Sequence, residues 1–354
     1  MLQKLFVWGM ALFVMNSSRA QDSSSLTSLS ISGSGDVYYR YDGGKSKTNN
    51  MTSFTNSHNS FELGMASVKL NYKTPKLELV GDIGVGKRAK EFSYNDEGVL
   101  SSLKQLYITY NATPWLKLTA GSWATHVGYE LVDPNLNRNY SMSYMFTNGP
   151  FFHTGVRADI THKSSGFMIG IANPTDFKYV PDGQINNKFL LAQYSLAAGE
   201  HFKLFLNYVS GKNVDTTKSS QYDLVLTGEL SDKFDIAYNG TLNRTTTYLG
   251  NKVFDECKSW WGSAIYLNYD PLPSFGLSIR EEYFRDVNRL KVYKSYLQGG
   301  SILATTLSAN IKTDNLIIIP EVRMDRADGA IFTNAGGNPV KWSANFLLAA
   351  IYHF

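Results

Sequence analysis

The last fifteen residues, Val340 to Phe354, constrain the fold more than any other stretch. Every second position there is apolar: Trp342, Ala344, Phe346, Leu348, Ala350, Tyr352 and Phe354. The opposite face carries Lys341, Ser343, Asn345 and His353. Period two sends successive side chains to opposite faces of a strand, so this segment separates an apolar environment from a polar one. Trp342 closes the apolar face at one end, and Tyr352 and Phe354 close it at the other. Aromatic girdles around an apolar band mark strands that cross a bilayer within a closed barrel. A sandwich strand at a chain end is the plainer alternative.

The N-terminus predicts export. Lys4 precedes an apolar run from Leu5 to Met15, followed by Asn16, Ser17, Ser18, Arg19 and Ala20. This pattern reads as a secretory signal peptide over residues 1–20, cleaved after Ala20. The run is too short to span a bilayer, and no later stretch offers about twenty uninterrupted apolar residues. No cysteine lies near the cleavage point, so no lipid anchor is expected. Residues 21–28, with Ser23 to Ser25, read as a short flexible N-terminus. The remainder, 29–354, reads as one domain, since no linker or charge block divides it.

Charge points to no nucleic-acid partner: removing Lys4 and Arg19 takes the formal +4 to +2. Cys257 is the single cysteine, which excludes a disulfide within the chain. It falls in a predicted external loop. The 22 Tyr, 20 Phe and 29 Gly suit strands with aromatic belts and tight turns.

The spacing predicts sixteen strands near 29–41, 61–72, 77–86, 102–110, 115–123, 152–162, 166–173, 188–197, 201–210, 220–230, 234–243, 260–269, 275–285, 301–311, 315–325 and 340–354. Many alternate well: Phe202, Leu204, Leu206 and Tyr208 oppose Lys203 and Asn207. Segment 61–72 fits less well, because Leu63 and Met65 enter its polar face. Short turns alternate with long polar loops near 42–60, 87–101, 124–151, 174–187, 211–219, 244–259, 286–300 and 326–339. That alternation predicts an all-β, transmembrane, up-and-down antiparallel barrel with short periplasmic turns and long extracellular loops. In hydrocarbon every backbone N–H and C=O needs a partner, so such a sheet must close on itself. Sixteen strands enclose a lumen too wide for wall side chains to fill, which predicts water inside. Asp36, Arg40, Asp82, Lys117, Arg157, Asp159, Lys203, Asp223, Asp235, Arg280, Glu321 and Arg323 are assigned to the inward face. On the lipid face at mid-membrane an Arg or Lys would cost roughly 2–4 kcal/mol.

The third long loop, 124–151, is the longest and is a candidate to fold into the barrel. Glu130, Asp133 and Arg138 lie there among Tyr129, Tyr140, Tyr144 and Phe146. Carboxylates facing arginines across a constriction would favour small polar solutes. Candidate pore-lining residues are Glu130, Asp133 and Arg138 from this loop, with Arg40, Arg157, Arg280 and Arg323 from the wall. A loop lying over the barrel mouth is the alternative.

Several stretches resemble the OmpL-like β-barrel porins common in Bacteroidetes. They are Gly35-Asp-Val-Tyr-Tyr39, Phe61-Glu-Leu-Gly-Met-Ala66, Gly121-Ser-Trp-Ala-Thr-His-Val-Gly-Tyr-Glu130, Asn137-Arg-Asn-Tyr-Ser141 and Pro150-Phe-Phe-His-Thr-Gly-Val-Arg157. Asn173-Pro-Thr-Asp176 resembles that family's Asn-Gly-Trp-Asp turn, with Pro and Thr replacing Gly and Trp. The terminal Phe354 is similar to the closing aromatic that outer-membrane barrels present to their assembly machinery. The resemblance covers most of the mature chain and implies a porin-like channel in the bacterial outer membrane. By analogy with general porins it is compatible with a homotrimer.

Enzymatic motifs fail. Gly81-Asp-Ile-Gly-Val-Gly-Lys-Arg88 nearly matches a phosphate-binding loop, but Arg88 stands where Ser or Thr must bind magnesium, and no helix is expected after it. The six histidines show no metal-ligand spacing. His126 and His153, near strand ends, leave an outer-membrane lipase or protease as the rival reading. A non-conducting barrel acting as adhesin or receptor through its loops is another. The expectation is a water-filled channel for passive diffusion of small hydrophilic solutes, with no cofactor.

Overall fold

The computed structural model describes residues 27–250 and 253–354. The predicted signal peptide and most of the predicted flexible N-terminus lie outside the described residues. Sixteen long antiparallel strands form the barrel. The first four are β1 (Ser28–Asp42), β2 (Ser60–Lys73), β3 (Leu77–Val85) and β4 (Leu103–Thr113). Next come β5 (Leu116–Ala124), β6 (Phe152–His162), β7 (Ser165–Ala172) and β8 (Phe189–Ala198). They are followed by β9 (Phe202–Lys212), β10 (Thr217–Ser231), β11 (Phe234–Gly250) and β12 (Lys258–Leu272). The last are β13 (Phe275–Asp286), β14 (Gly300–Thr313), β15 (Leu316–Ala327) and β16 (Trp342–His353). Each pairs with the next, and β1 pairs with β16 as well as β2, so the sheet has no free edge. No helix among the described residues is long and apolar enough to cross a membrane.

The ladder registers put Trp342, Phe346, Leu348 and Tyr352 on the face shared with Val37, Tyr39, Val322 and Leu316. These rows are exposed or half-buried, whereas Arg40, Glu321, Arg323 and Ser343 on the other face are buried. That inversion of the usual order, apolar outside and polar inside, is what a wall between lipid and lumen requires. The sequence-assigned inward charges all fall on the polar face by register.

Segment 61–72 now has a physical reading. A β-bulge in β2, opposite Gly35–Val37 of β1, lets Gly64 and Met65 both turn inward, after which the outward positions shift from odd (Phe61, Leu63) to even (Ala66, Val68). A bulge in β4 does the same at Lys104 and Gln105. Gly121 in β5 has φ +133°, and a Cβ there would sit 2.2 Å from the Leu106 carbonyl oxygen. Gly121→Ala is expected to cost about 3 kcal/mol, from left-handed backbone strain plus overpacking, read as a lowered unfolding midpoint in detergent.

Two connections differ from expectation. The loop predicted at 211–219 is a tight hairpin, because Lys212 pairs with Lys218 and the polar Ser/Thr segments extend the ladder. The loop predicted at 244–259 starts later, since β11 runs to Gly250. Strand hydrogen bonding continues beyond the apolar band, and hydropathy cannot reveal where it stops.

Candidate functional site

The third loop, between β5 and β6, is fastened to the polar face of the wall. Its short helix, α1 (Tyr144–Asn148), begins at Ser143, whose hydroxyl accepts from Phe146 N at 3.0 Å. The first N–H groups of a helix have no partner within it. Here the Glu282 carboxylate on β13 accepts Tyr144 N and Met145 N, each at 2.8 Å. Glu321 on β15 likewise accepts Tyr140 N at 2.8 Å and Ser141 N at 3.2 Å. On β10, Asp223 accepts Gly128 N at 3.0 Å.

Arginines bind the loop carbonyls in the complementary sense, Arg280 and Arg323 from the wall and Arg88 from the segment after β3. Arg280 donates to Ser141 O at 2.7 Å, and Arg323 donates to Met142 O at 2.7 Å. Arg88 donates to Val132 O and Tyr140 O, both at 3.3 Å, with its guanidinium over the Phe54 and Tyr140 rings. Tyr140 donates its hydroxyl to Asp36 on β1, and Tyr144 donates to Asp325 on β15 at 2.8 Å. Apolar packing fills the gaps. Tyr140 packs with Tyr38, Ile319, Leu347, Ala349 and Ile351, while Tyr144 and Met145 pack with Trp260, Tyr266 and Phe284. Tyr140, Met142 and Tyr144 are fully buried.

The structure places the seven candidate residues as follows. Glu130 pairs directly with Arg280 and also accepts Ser143 N at 2.8 Å. Asp133 turns the other way, to Lys104, which also pairs with Asp82 at 3.2 Å. Arg138 reaches the turn end of β12, where it holds Asp270 through two bonds of 2.8 and 2.5 Å. Arg323 pairs with Asp325 at 2.8 Å. Arg40 pairs with Asp42 at 2.9 Å and fastens the first loop through Ser57 O at 2.6 Å. Arg157 pairs with Asp159 at 3.2 Å and lies over the Trp123 ring.

Carboxylates and arginines therefore do not stand as opposed rows across a gap. Each is joined to a partner, as charges removed from water must be. Arg40, Arg280 and Arg323 retain at most 2% of their surface, so they hold loops rather than face open solvent. Arg138 and Arg157 keep 20% and 15% of their side-chain surface.

Sequence reasoning misses Arg88, Lys104, Glu282 and Asp325. The near phosphate-loop motif carries no expectation of a helix after it. A six-residue helix, Lys87–Phe92, does follow, but it turns the Arg88 guanidinium onto the third loop instead of presenting amides to an anion. The β4 bulge hides Lys104. Glu282 carries a usable signal, since it alternates with Arg280 on one strand face.

Burial holds the Tyr129 phenol up at about 12 and pushes His126 down to about 4, with the Arg157 charge adding to the latter effect. The turn that resembles the family's motif has a structural task. Asp176, with φ +64°, accepts Phe151 N at 2.7 Å, Phe152 N at 3.0 Å and the Tyr94 hydroxyl at 3.0 Å, closing the end of the third loop. Burial raises its carboxyl from 3.8 to about 6 despite those donors. The folded state therefore binds this proton more tightly than the unfolded chain does. Asp176 contributes stability when protonated and loses that contribution as pH rises from about 4 to about 6. Relative to D176N, wild-type protein should gain on the order of 3 kcal/mol on acidification through that window, measured by urea unfolding in detergent at stepped pH. An unchanged difference would count against the assignment.

Residues 28–354 match the family model "Putative beta-barrel porin-2, OmpL-like". No curated protein matches the chain in sequence. Among solved structures the barrel is similar to the outer membrane channel DcaP of Acinetobacter baumannii, with TM-score 0.62 and 10% identity over 93% of this chain and 97% of that one. It is also similar to an anion-selective porin from Comamonas acidovorans, with TM-score 0.62 and 7% identity over 93% and 100%. OmpT of Vibrio cholerae, solved in a trimer form, gives TM-score 0.59 and 11% identity over 93% and 99%. At these identities the likeness carries the fold, and the family model carries the kinship. The chain belongs to the OmpL-like β-barrel porins and is an outer-membrane channel protein.

Proposed function

We propose that the barrel is a passive aqueous route for small hydrophilic solutes, and that its narrowest section lies where the third loop crosses the inner wall. One observation carries this reading. The loop exchanges hydrogen bonds with the polar faces of β1, β10, β13 and β15, on widely separated parts of the wall. A loop resting over the mouth would leave those carboxylates and guanidinium groups without their partners.

Arg138 and Arg157, which keep water-accessible surface, are the selectivity residues under this reading; Arg280 and Arg323 act through the loop they hold. Single-channel recording in asymmetric salt tests both points. Discrete ohmic steps are expected, and R138Q or R157Q should move the reversal potential toward cation preference. Absence of steps from correctly folded protein would reject the channel reading.

The enzyme alternative finds little support. The His126 and His153 rings lie 5.3 Å apart, but neither Nδ1 atom has a protein partner. A catalytic triad needs an acid there to orient the imidazole. Residues 1–20 are proposed as the export signal, and Phe354 as the contact for the assembly machinery. A homotrimer is proposed on the strength of the trimeric OmpT form.

A further inference from the structure

The lipid-facing surface carries an arrangement that the channel does not use. Strand register places three arginines outward near the long-loop ends of alternate strands: Arg244 on β11, Arg285 on β13 and Arg326 on β15. Arg244 pairs with Ser259 of β12, Arg285 pairs with Trp261 of β12, and Arg326 pairs with Trp342 of β16. Trp261 and Trp342 are exposed apolar residues, so their cross-strand partners share the outer face. All three arginines are exposed.

They also stand at one height. Following ladder partners from Asp36 to Ile351, Ile317 and Lys312 leads from mid-strand on β1 to the turn end of β14. A ring of constant height must therefore step back along each second strand as strand number rises, because the strands tilt. Arg244 pairs two positions above Trp261, the partner of Arg285. Arg285 pairs with Ser301 of β14, two positions above Leu303, the partner of Arg326. The same step occurs twice and in the required direction. With alternate strands about 9–10 Å apart, the result is a level row of guanidinium groups interleaved with Trp261 and ending beside Trp342.

Elsewhere in this protein arginines find carboxylates: Arg40, Arg138, Arg157, Arg280 and Arg323 all do. Arg285 and Arg326 have no ion pair or hydrogen bond among the described residues, and Arg244 lies beside the Cys257 thiol rather than a carboxylate. Tryptophan girdles sit at the level of lipid headgroups. Planar donors without a carboxylate at that level match phosphate oxygens, which a guanidinium grips with two parallel bonds.

We propose that Arg244, Arg285 and Arg326 form a binding row for the phosphate groups of outer-leaflet lipids, on the wall from β11 to β16. Its occupant is a phosphorylated acyl lipid, with chains against the apolar outer wall and phosphates at the arginines.

The test uses full-length mature protein in detergent, incubated with diphosphorylated lipid A, with its phosphatase-treated form, or with phosphatidylcholine, and then weighed by native mass spectrometry. Wild-type protein is expected to retain the diphosphorylated lipid preferentially. R285Q/R326Q should retain it about thirtyfold less, from two surface arginines lost. R285K/R326K, which keeps the charge but loses the fork, should retain an amount between the two, and single-channel conductance should be the same in all three. Equal retention by the glutamine variant, or equal retention of the phosphatase-treated lipid by wild type, would overturn the proposal. Should the glutamine variant fail to fold, salt titration of wild-type protein decides. Retention must fall steeply with ionic strength, and salt-insensitive retention overturns the row.

Discussion

Deleting residues 130–146 should raise single-channel conductance severalfold while the barrel remains folded and inserted. The two halves of this result have separate physical grounds. Conductance rises because, on the proposed reading, the deleted segment narrows the lumen: Tyr140 and Tyr144 are buried against inner-wall residues, and Met142 and Phe146 are buried in a cluster with Phe54, Phe92 and Phe151 of the loops. The barrel survives because its closure rests on strand ladders, including β1 with β16, to which the loop contributes nothing. The exposed partners also find a new solvent. Glu282, Glu321, Arg280 and Arg323 lose their loop contacts but gain lumen water, so their charges are hydrated rather than stranded. Planar-bilayer recording with matched circular dichroism checks both halves. Unchanged conductance would show that the loop does not narrow the path.

Arg280→Ala should be the most damaging single substitution on the wall. Arg280 is fully buried and serves four groups at once: Glu130, the Ser141 carbonyl, the Ser141 hydroxyl at 3.4 Å and Thr306 at 3.0 Å. Its removal leaves the Glu130 carboxylate buried without a cation. Breaking one side of a buried pair costs about 3–5 kcal/mol. The strain can be relieved by releasing the loop into water, so the loss should appear as faster amide exchange around residues 139–146 and as flickering, enlarged conductance. The double replacement E130Q/R280M removes both charges at similar volume and should recover most of the stability. If R280A and the double variant behave alike, the pair does not hold the loop.

The parts of this fold that are legible in the sequence share one property: they answer to a single environment on each face. Trp342 to Phe354 alternates cleanly on its outer face because lipid tolerates only one kind of side chain there. On the inner face, Leu347, Ala349 and Ile351 are buried beneath Tyr140, and that stretch is consequently apolar on both sides. A strand covered on both faces reads as a continuous apolar run, and this is the available sign that something packs inside the barrel. The bulge at Gly64–Met65 shows in the sequence only as broken alternation, with Leu63 and Met65 on the polar face, and the one at Lys104–Gln105 is not legible, since one inserted residue inverts every later position and leaves no composition signal. Pairing is also out of reach. That Glu130 meets Arg280 rather than opposing it across a gap depends on a chain separation of 150 residues, which no periodicity encodes.

The direct test of the account is a cross-link between the loop and the wall. Asn139 donates to Ser308 of β14 at 2.8 Å, with both residues buried. In a C257S background, N139C/S308C should be joined by a short thiol-bridging reagent in intact outer membranes, giving a band of altered mobility and a channel that keeps the discrete conductance steps of the parent protein. If both thiols stay separate while the one introduced on the loop reacts freely with a reagent confined to the cell exterior, the loop lies outside the lumen and the account is contradicted.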